Sequence, residues 1–281
     1  MLIDTHVHVW ALDERHRPAA DARLRPPKQA APVEWLLDDM AAYGIDHCVL
    51  VQSSAFGWDN TYMVECLERY PGRFKAIGLV DPLDPGNAAA LRGWMGRGLS
   101  GVRLHPLYYP DEPCWIDSPA HDALWDTAAD TGAILQFHML PRHAPALDRM
   151  LQRHRNVRVI VDHLGKPDVE EAPPYPSFRP VLDLARHPLV WLKIGDYQIA
   201  SKQVYPWPDT FPFVAALREA CGARRMLWGT GYHDGARLVP LEQALRYVRE
   251  ELPALTAAER EQILGSTPQA LFQFAKEDGH G

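Results

Sequence analysis

The sequence predicts a closed (β/α)8 TIM barrel of parallel strands, distorted and with extra helices at the C-terminal end. Short apolar runs alternate with longer amphipathic stretches along the whole chain. The runs are apolar nearly throughout, which is typical of parallel strands buried on both faces. An open doubly wound sheet is the alternative. No glycine-rich phosphate-binding loop precedes any predicted helix, which argues against the nucleotide-binding folds of that class. We therefore predict a single barrel domain over residues 1–281.

Eight segments have the length and composition of buried strands. In chain order they are residues 2–8, 48–52, 74–80, 101–105, 133–138, 157–163, 189–195 and 225–229. Between them, apolar residues recur at spacings of three and four, which predicts amphipathic helices. These helices are residues 33–43, 60–70, 87–97, 120–131, 144–155, 178–186, 210–220 and 241–250, with extra C-terminal helices at 259–264 and 267–275.

Proline-rich stretches fall mostly after the predicted strand ends. They are residues 15–32, 108–119, 167–180 and 205–212. In a barrel, the loops that follow the strands build the active-site face. We therefore expect these stretches to be ordered loops over a pocket rather than linkers between domains.

Composition and charge restrict the class of function. Hydrophobic residues make up 47% of the chain and charged residues 23%, which is typical of a globular protein with a sizeable core. The net charge is -7, and the sequence has no stripe of basic residues that would attract a polyanion. We therefore expect a small-molecule substrate and neither nucleic acid nor a membrane as partner. Without a leader or a long apolar run, the expected location is cytoplasmic. The four scattered cysteines predict reduced thiols, and assembly into a homo-oligomer is left open.

Histidines stand at the ends of four predicted strands. His6 and His8 share one face of the first strand, about 6–7 Å apart along it. Two imidazoles on a rigid strand suit one divalent metal ion, and hydrogen-bonded structural histidines are the alternative. His138 becomes a third candidate ligand, while His163 could orient or protonate a substrate or serve as a fourth ligand. Because buried imidazoles need partners, these histidines with His105 predict a functional site.

Other polar residues occupy the same strand ends. Arg103 shares a face with His105, and its planar guanidinium suits a substrate carboxylate, with an internal salt bridge as the alternative. Asp162 would point to the opposite face of a regular strand from its neighbour His163, so we expect it to be structural. Lys193 or its neighbours end the seventh strand.

Aromatic residues of the predicted loops could line a pocket for a ring. Most are equally compatible with loop packing. We select Trp10 after the first strand and Tyr197 after the seventh, and predict that both contact the substrate together with His105.

These motifs resemble the amidohydrolase superfamily, in particular the amidohydrolase-related branch that contains sugar-lactone and dicarboxylate-lactone hydrolases and some metal-dependent decarboxylases. The matching segments are IDTHVHVW (3–10), VQSSAFGWDN (51–60), YPGRFKAIGLVDP (70–82), GVRLHP (101–106), QFH (136–138), VRVIVDHLGKP (157–167), WLKIGDY (191–197) and MLWGTGYH (226–233). The resemblance implies a site at the C-terminal strand ends. There His6, His8 and His138 would hold a divalent metal, zinc or manganese, and His163 would polarise the substrate carbonyl.

One position departs from the pattern of this family. In members that hydrolyse lactones, an aspartate ending strand 8 activates the attacking water and commonly ligates the metal where one is present. The matching position here is Gly231. Either the glycine is engineered, or it is natural and His233 or Asp234 takes over the role, or the barrel binds a ligand without turnover. We favour natural divergence, and a metal-free mechanism remains the alternative because some relatives work without metal.

The sequence therefore predicts a hydrolase that opens a lactone or a similar cyclic ester. Water activated by a metal or by a side-chain base would attack the carbonyl, while His163 and Arg103 stabilise the developing negative charge. Metal-dependent non-oxidative decarboxylation of an aromatic or unsaturated acid is the alternative reaction. No organic cofactor is expected.

Overall fold

The computed structural model describes residues 1–19, 26–108, 115–232 and 239–275. Within these residues, eight parallel strands form one sheet in chain order. The strands are β1 (Ile3–Val7), β2 (His47–Val51), β3 (Phe74–Leu79), β4 (Gly101–Leu104), β5 (Ile134–Phe137), β6 (Arg158–Val161), β7 (Val190–Ile194) and β8 (Met226–Trp228). Each predicted strand is confirmed to within two residues at either end.

The sheet curls until its last strand meets its first. The backbone N–H of His8 donates to the carbonyl of Tyr232 at 2.9 Å, and that of Gly231 donates to the carbonyl of His6, also at 2.9 Å. These bonds flank a parallel bridge between Val7 and Tyr232. They satisfy backbone groups that an open sheet would leave unpaired at its edges. The predicted (β/α)8 barrel is confirmed.

Helices follow the strands and cover the outside of the barrel. They are α1 (Val33–Tyr43), α2 (Thr61–Arg69), α3 (Asn87–Gly96), α4 (Asp122–Thr131), α5 (Ala144–Arg153), α6 (Arg179–Asp183), α7 (Tyr197–Ala200), α8 (Phe211–Cys221), α9 (Leu241–Arg246), α10 (Ala257–Glu261) and α11 (Thr267–Phe272). The predicted helices are present, and α7 is an addition, because four residues are too few to show helical periodicity. Among the described residues, no helix is both long and apolar enough to cross a membrane.

The barrel interior is apolar at its N-terminal end. One cluster gathers the inward-facing residues Ile3, Val49, Val51, Ile77, Ile134, Ile160 and Leu227. The segment at and after α11 adds Leu271, Phe272 and Phe274 to the same cluster, so the extra C-terminal helix closes this end. Because side chains alternate along a strand, the next inward positions lie at the C-terminal end. Those positions carry the polar residues of the candidate site.

Candidate active site

The structure brings the five predicted histidines into one row. The ring centroids are 4.9 Å apart for His6 and His8, and 4.6 Å apart for His6 and His163. The row continues through His138, 5.0 Å from His163, to His105, 5.3 Å from His138. Four of the rings are buried and His138 is partly buried. Histidines at the C-terminal ends of β1, β4, β5 and β6 therefore converge on one pocket, as their strand-end positions predicted.

His6 and His8 have the spacing of two ligands of one cation. Their Nε2 atoms lie 3.2 Å apart. Two nitrogens bound to one zinc ion at about 2.0–2.1 Å, at a nearly tetrahedral angle, lie about 3.3 Å apart. Nδ1 of His8 donates to the carbonyl of Val51 at 2.6 Å, which leaves a lone pair on its Nε2. Nζ of Lys193 lies 3.2 Å from Nδ1 of His6. Because an ammonium can only donate, this nitrogen accepts, and Nε2 of His6 donates to Nε2 of His8. The spacing of the pair fits a divalent metal, whose binding would displace the proton on Nε2 of His6.

A buried ion cluster lies against the histidines. Lys193 is fully buried, and its Nζ lies 3.1 Å from Asp162 Oδ1. Nε of Arg103 donates to Asp162 Oδ2 at 2.7 Å. Burial alone would raise the pKa of the Asp162 carboxyl, but Lys193 and Arg103 hold that pKa well below its ordinary value. One carboxylate thus pairs with two cations. For Arg103, the structure shows the alternative reading, an internal salt bridge.

The prediction that Asp162 points away from the site is wrong. The strand β6 ends at Val161, and Asp162 is extended, so its side chain faces inward like that of Ile160. The next residue, His163, has a φ of 53°. This left-handed backbone breaks the alternation of the strand and turns His163 inward as well. Both side chains therefore enter the pocket.

Arg103 fixes the tautomer of His163. Nη2 of Arg103 lies 2.7 Å from Nε2 of His163. A guanidinium can only donate, so this imidazole nitrogen accepts. Burial holds the pKa of His163 well below its ordinary value, so the ring is neutral and its proton sits on Nδ1. That N–H lies 3.3 Å from Oδ2 of Asp196. His163 therefore offers a hydrogen-bond donor beside a carboxylate.

His105 and His138 form a second imidazole pair. Their Nδ1 atoms lie 3.3 Å apart, so one ring donates and the other accepts. The Nε2 atoms of both are buried and have no hydrogen-bond partner among the described residues. Whichever ring donates, one Nε2 carries a proton and the other a lone pair. The pair can therefore offer the pocket one donor and one acceptor or metal ligand, beside the ring of Tyr108, which stacks on His105 at 5.0 Å.

Two groups of the described residues bring three ligand atoms within 4.8 Å of one another. The first group is His6, Asp162 and His163, and the second is His138, His163 and Asp196. Lys193 and Arg103 already neutralise Asp162 in the first group, and Nε2 of His163 already accepts from Arg103. The predicted ligands His6, His8 and His138 stay a prediction.

The side chains of Trp10 and Tyr197 are occupied elsewhere. Trp10 is buried against Phe56, and its indole N–H donates to the carbonyl of Gln29 at 2.8 Å. Tyr197 stacks on Tyr247 at 4.0 Å, and its hydroxyl donates to the carbonyl of Ala244 at 3.1 Å.

These contacts put both aromatic rings in the packing, against the prediction of substrate contact. The reason at Tyr197 is the left-handed backbone of the residue before it, Asp196, whose φ is 50°. The turn directs Asp196 toward His163 and begins α7, which carries Tyr197 into the outer core.

Asp196 is the residue that sequence reasoning missed. It lies in the segment WLKIGDY, and an aspartate directly after a strand is itself a signal of a strand-end site. The proposed substitutes for the strand-8 aspartate, His233 and Asp234, lie outside the described residues. Gly231 is described, and its φ is +68°.

Comparison with known proteins agrees with this geometry. A family model described as Amidohydrolase matches residues 3–274. The 4-sulfomuconolactone hydrolase of Hydrogenophaga intermedia is 25% identical, over 97% of this chain and 89% of that protein. The L-fucono-1,5-lactonase of Burkholderia ambifaria is 27% identical, over 82% of this chain and 79% of that protein.

A solved structure with bound zinc has the same fold. It is an amidohydrolase from Burkholderia multivorans, 21% identical, with a TM-score of 0.78 over 98% of this chain and 100% of that chain. The family model extends over nearly the whole sequence, from the start of β1 to the residues that follow α11. This chain belongs to the amidohydrolase family.

Proposed function

We propose that this protein is a hydrolase that opens the ring of a lactone or a similar cyclic ester. The observation that carries the proposal is the row of five histidines, four of them buried, beside Arg103, Asp162 and Lys193 at the C-terminal strand ends of an amidohydrolase-family chain. Relatives along most of its length open lactone rings, one sulfonated and one derived from a sugar. Both belong to the same reaction class, hydrolysis of a cyclic ester.

Three histidines would hold a divalent metal, zinc or manganese, in this proposal. His6 and His8 have the spacing of two ligands, and Nε2 of His138 is buried without a hydrogen-bond partner among the described residues. When bound, the cation would supply Lewis acidity to the carbonyl and to the attacking water. The carbonyl of Val51 accepts from Nδ1 of His8 and orients that ring, and Nζ of Lys193 lies 3.2 Å from Nδ1 of His6.

His163 would act on the carbonyl oxygen of the substrate. Its Nδ1–H is the donor that Arg103 leaves available, and this donor can stabilise the negative charge that develops on that oxygen. Arg103 acts through His163 as a positioning residue, since its guanidinium is held by Asp162. His105 and the Tyr108 ring stacked on it would form a flat wall for the substrate ring.

Acid release from a panel of lactones tests the proposal. The panel contains sugar lactones and carboxylated or sulfonated unsaturated lactones, with and without added zinc or manganese, and a pH indicator reports ring opening. We expect turnover of at least one member, lost at least 100-fold in His163→Gln. His187→Gln is the matched control, because His187 precedes β7 at the other end of the barrel.

Absence of turnover across the panel in every metal condition would contradict the proposal. Release of carbon dioxide from aromatic or unsaturated acids would instead establish the decarboxylase alternative. Full activity of His163→Gln would remove His163 from the reaction.

A further inference from the structure

Asp196 occupies a strained position that its neighbouring helix does not require. It follows β7 with a φ of 50° and a ψ of 22°, a conformation that costs free energy in most residues but less in aspartate. It stands at the N-cap of α7, yet among the described residues its side chain makes no capping hydrogen bond. Oδ2 lies instead 3.3 Å from Nδ1 of His163, which belongs to β6 and its loop.

The carboxylate of Asp196 also reaches the end of strand 8. A Cβ atom added to Gly231 would lie 3.1 Å from Oδ1 of Asp196. A carboxylate on residue 231 would therefore compete with Asp196 for the same space, and two adjacent negative charges would repel each other. Glycine at 231 and aspartate at 196 are thus complementary, and the carboxylate approaches the same region from β7 rather than from β8.

We propose that Asp196 is the catalytic carboxylate of this site and supplies the proton acceptor that Gly231 cannot provide. The inference rests on the proposed lactone hydrolysis and adds a residue to it. Asp196 and His163 place an acceptor and a donor side by side, the two groups that addition of water to a carbonyl requires.

The reaction follows from these two groups. Asp196 removes a proton from water as the water oxygen bonds to the carbonyl carbon, and the carbonyl π electrons move to the oxygen held by His163. The tetrahedral intermediate then collapses, the bond between the acyl carbon and the ring oxygen breaks, and the proton on Asp196 passes to the leaving ring oxygen. The product is an open hydroxy acid, and Asp196 returns to its starting state.

Moving the carboxylate between the two positions tests the assignment. Asp196→Asn is isosteric, and we expect kcat to fall about 100- to 10,000-fold with KM changed only a few-fold. In Asp196→Asn/Gly231→Asp, a carboxylate returns to the same region, and kcat should recover at least tenfold. Asp196→Asn/Gly231→Ala is the matched control, which adds the Cβ atom without the charge and should not recover. Asp84→Asn, at an exposed turn after β3, should keep wild-type kcat.

Circular dichroism and thermal unfolding establish that each variant is folded. If Asp196→Asn does not fold, Asp196→Gly replaces it, since glycine suits the positive φ, and formate should then raise kcat at least tenfold. An active wild type with an equally active Asp196→Asn, or no response to formate in Asp196→Gly, overturns the assignment while the proposed function stands. A wild type that opens no lactone overturns both.

Discussion

Replacing the buried ammonium of Lys193 should destabilise the fold more than most single substitutions do. Nζ of Lys193 lies 3.1 Å from Asp162 Oδ1, 3.1 Å from the carbonyl of Thr5 and 3.2 Å from Nδ1 of His6. Lys193→Met keeps the length and apolar stem of the side chain but removes the charge. Breaking a buried ion pair by removing one partner costs about 3–5 kcal/mol. Because Arg103 still neutralises Asp162, we expect the lower end, about 3 kcal/mol.

Urea unfolding at pH 7 measures this loss as a difference in the free energy of unfolding. The second single variant is Asp162→Asn, and the double variant Lys193→Met/Asp162→Asn completes a thermodynamic cycle. If the two side chains stabilise each other, the double variant should lose less than the sum of the single losses, by about 1–3 kcal/mol.

Three results bear on this reasoning. Coupling of that size supports a charged pair at the barrel centre. Additive losses would refute the charged pair. A Lys193→Met variant whose free energy of unfolding lies within about 0.5 kcal/mol of wild type would also refute it, because substitutions of surface residues give differences of that size. A change in the slope of free energy against urea would show that the unfolded or native state itself has changed, and thermal unfolding by calorimetry then measures the same cycle.

Three further predictions concern the cap of α10, the closure of the barrel and the metal ligands. Hydrogen bonds from the backbone at the start of α10 and from a guanidinium lower the pKa of Glu259 from 4.5 to about 2. The ionised carboxylate therefore stabilises the fold fully above pH 4.5, and this stabilisation is lost as pH falls through 2. Glu259→Gln should lower the free energy of unfolding by about 1 kcal/mol at pH 7 and by progressively less below pH 4.5. A loss that stays constant with pH in urea titrations would contradict this. Gly229→Ala would drive a Cβ atom into His6 and should lower the Tm by several degrees, whereas Gly93→Ala, with open space around it, should not; equal Tm values contradict this. His8→Ala should weaken zinc binding at least tenfold by calorimetry, and unchanged affinity would remove His8 from the ligand set.

Most of the fold was predictable because its signals are local. The apolar runs and helical spacings placed all eight strands to within two residues. The same period of two put His6 and His8 on one face, put Arg103 and His105 on one face, and carries His138 inward in step with Ile134. In β1 the pairing register with β2 shifts between Asp4 and Val7, so the inner face passes from Ile3 to His6 and His8.

The prediction failed where the backbone leaves the strand conformation. Asp162 faces inward by the ordinary alternation with Ile160, and its direction is mispredicted because the neighbouring His163 also takes the inner face. His163 and Asp196 reach the pocket because left-handed residues re-aim the chain after β6 and β7, and non-glycine residues with positive φ carry no reliable sequence signal. The neighbouring Tyr197 was therefore assigned to the wrong side. The approach of Asp196 to Gly231 joins residues on different strands, and only the closed barrel brings them together.

Ring opening in water enriched in oxygen-18 tests the central claim most directly. A lactone that the protein turns over is incubated in labelled water, and mass spectrometry locates the label in the product. We predict one labelled oxygen in the new carboxylate and none on the hydroxyl carbon, because water adds to the acyl carbon. Label on the hydroxyl carbon would contradict attack of water on the acyl carbon, and a product that has lost carbon dioxide would contradict lactone hydrolysis at this site.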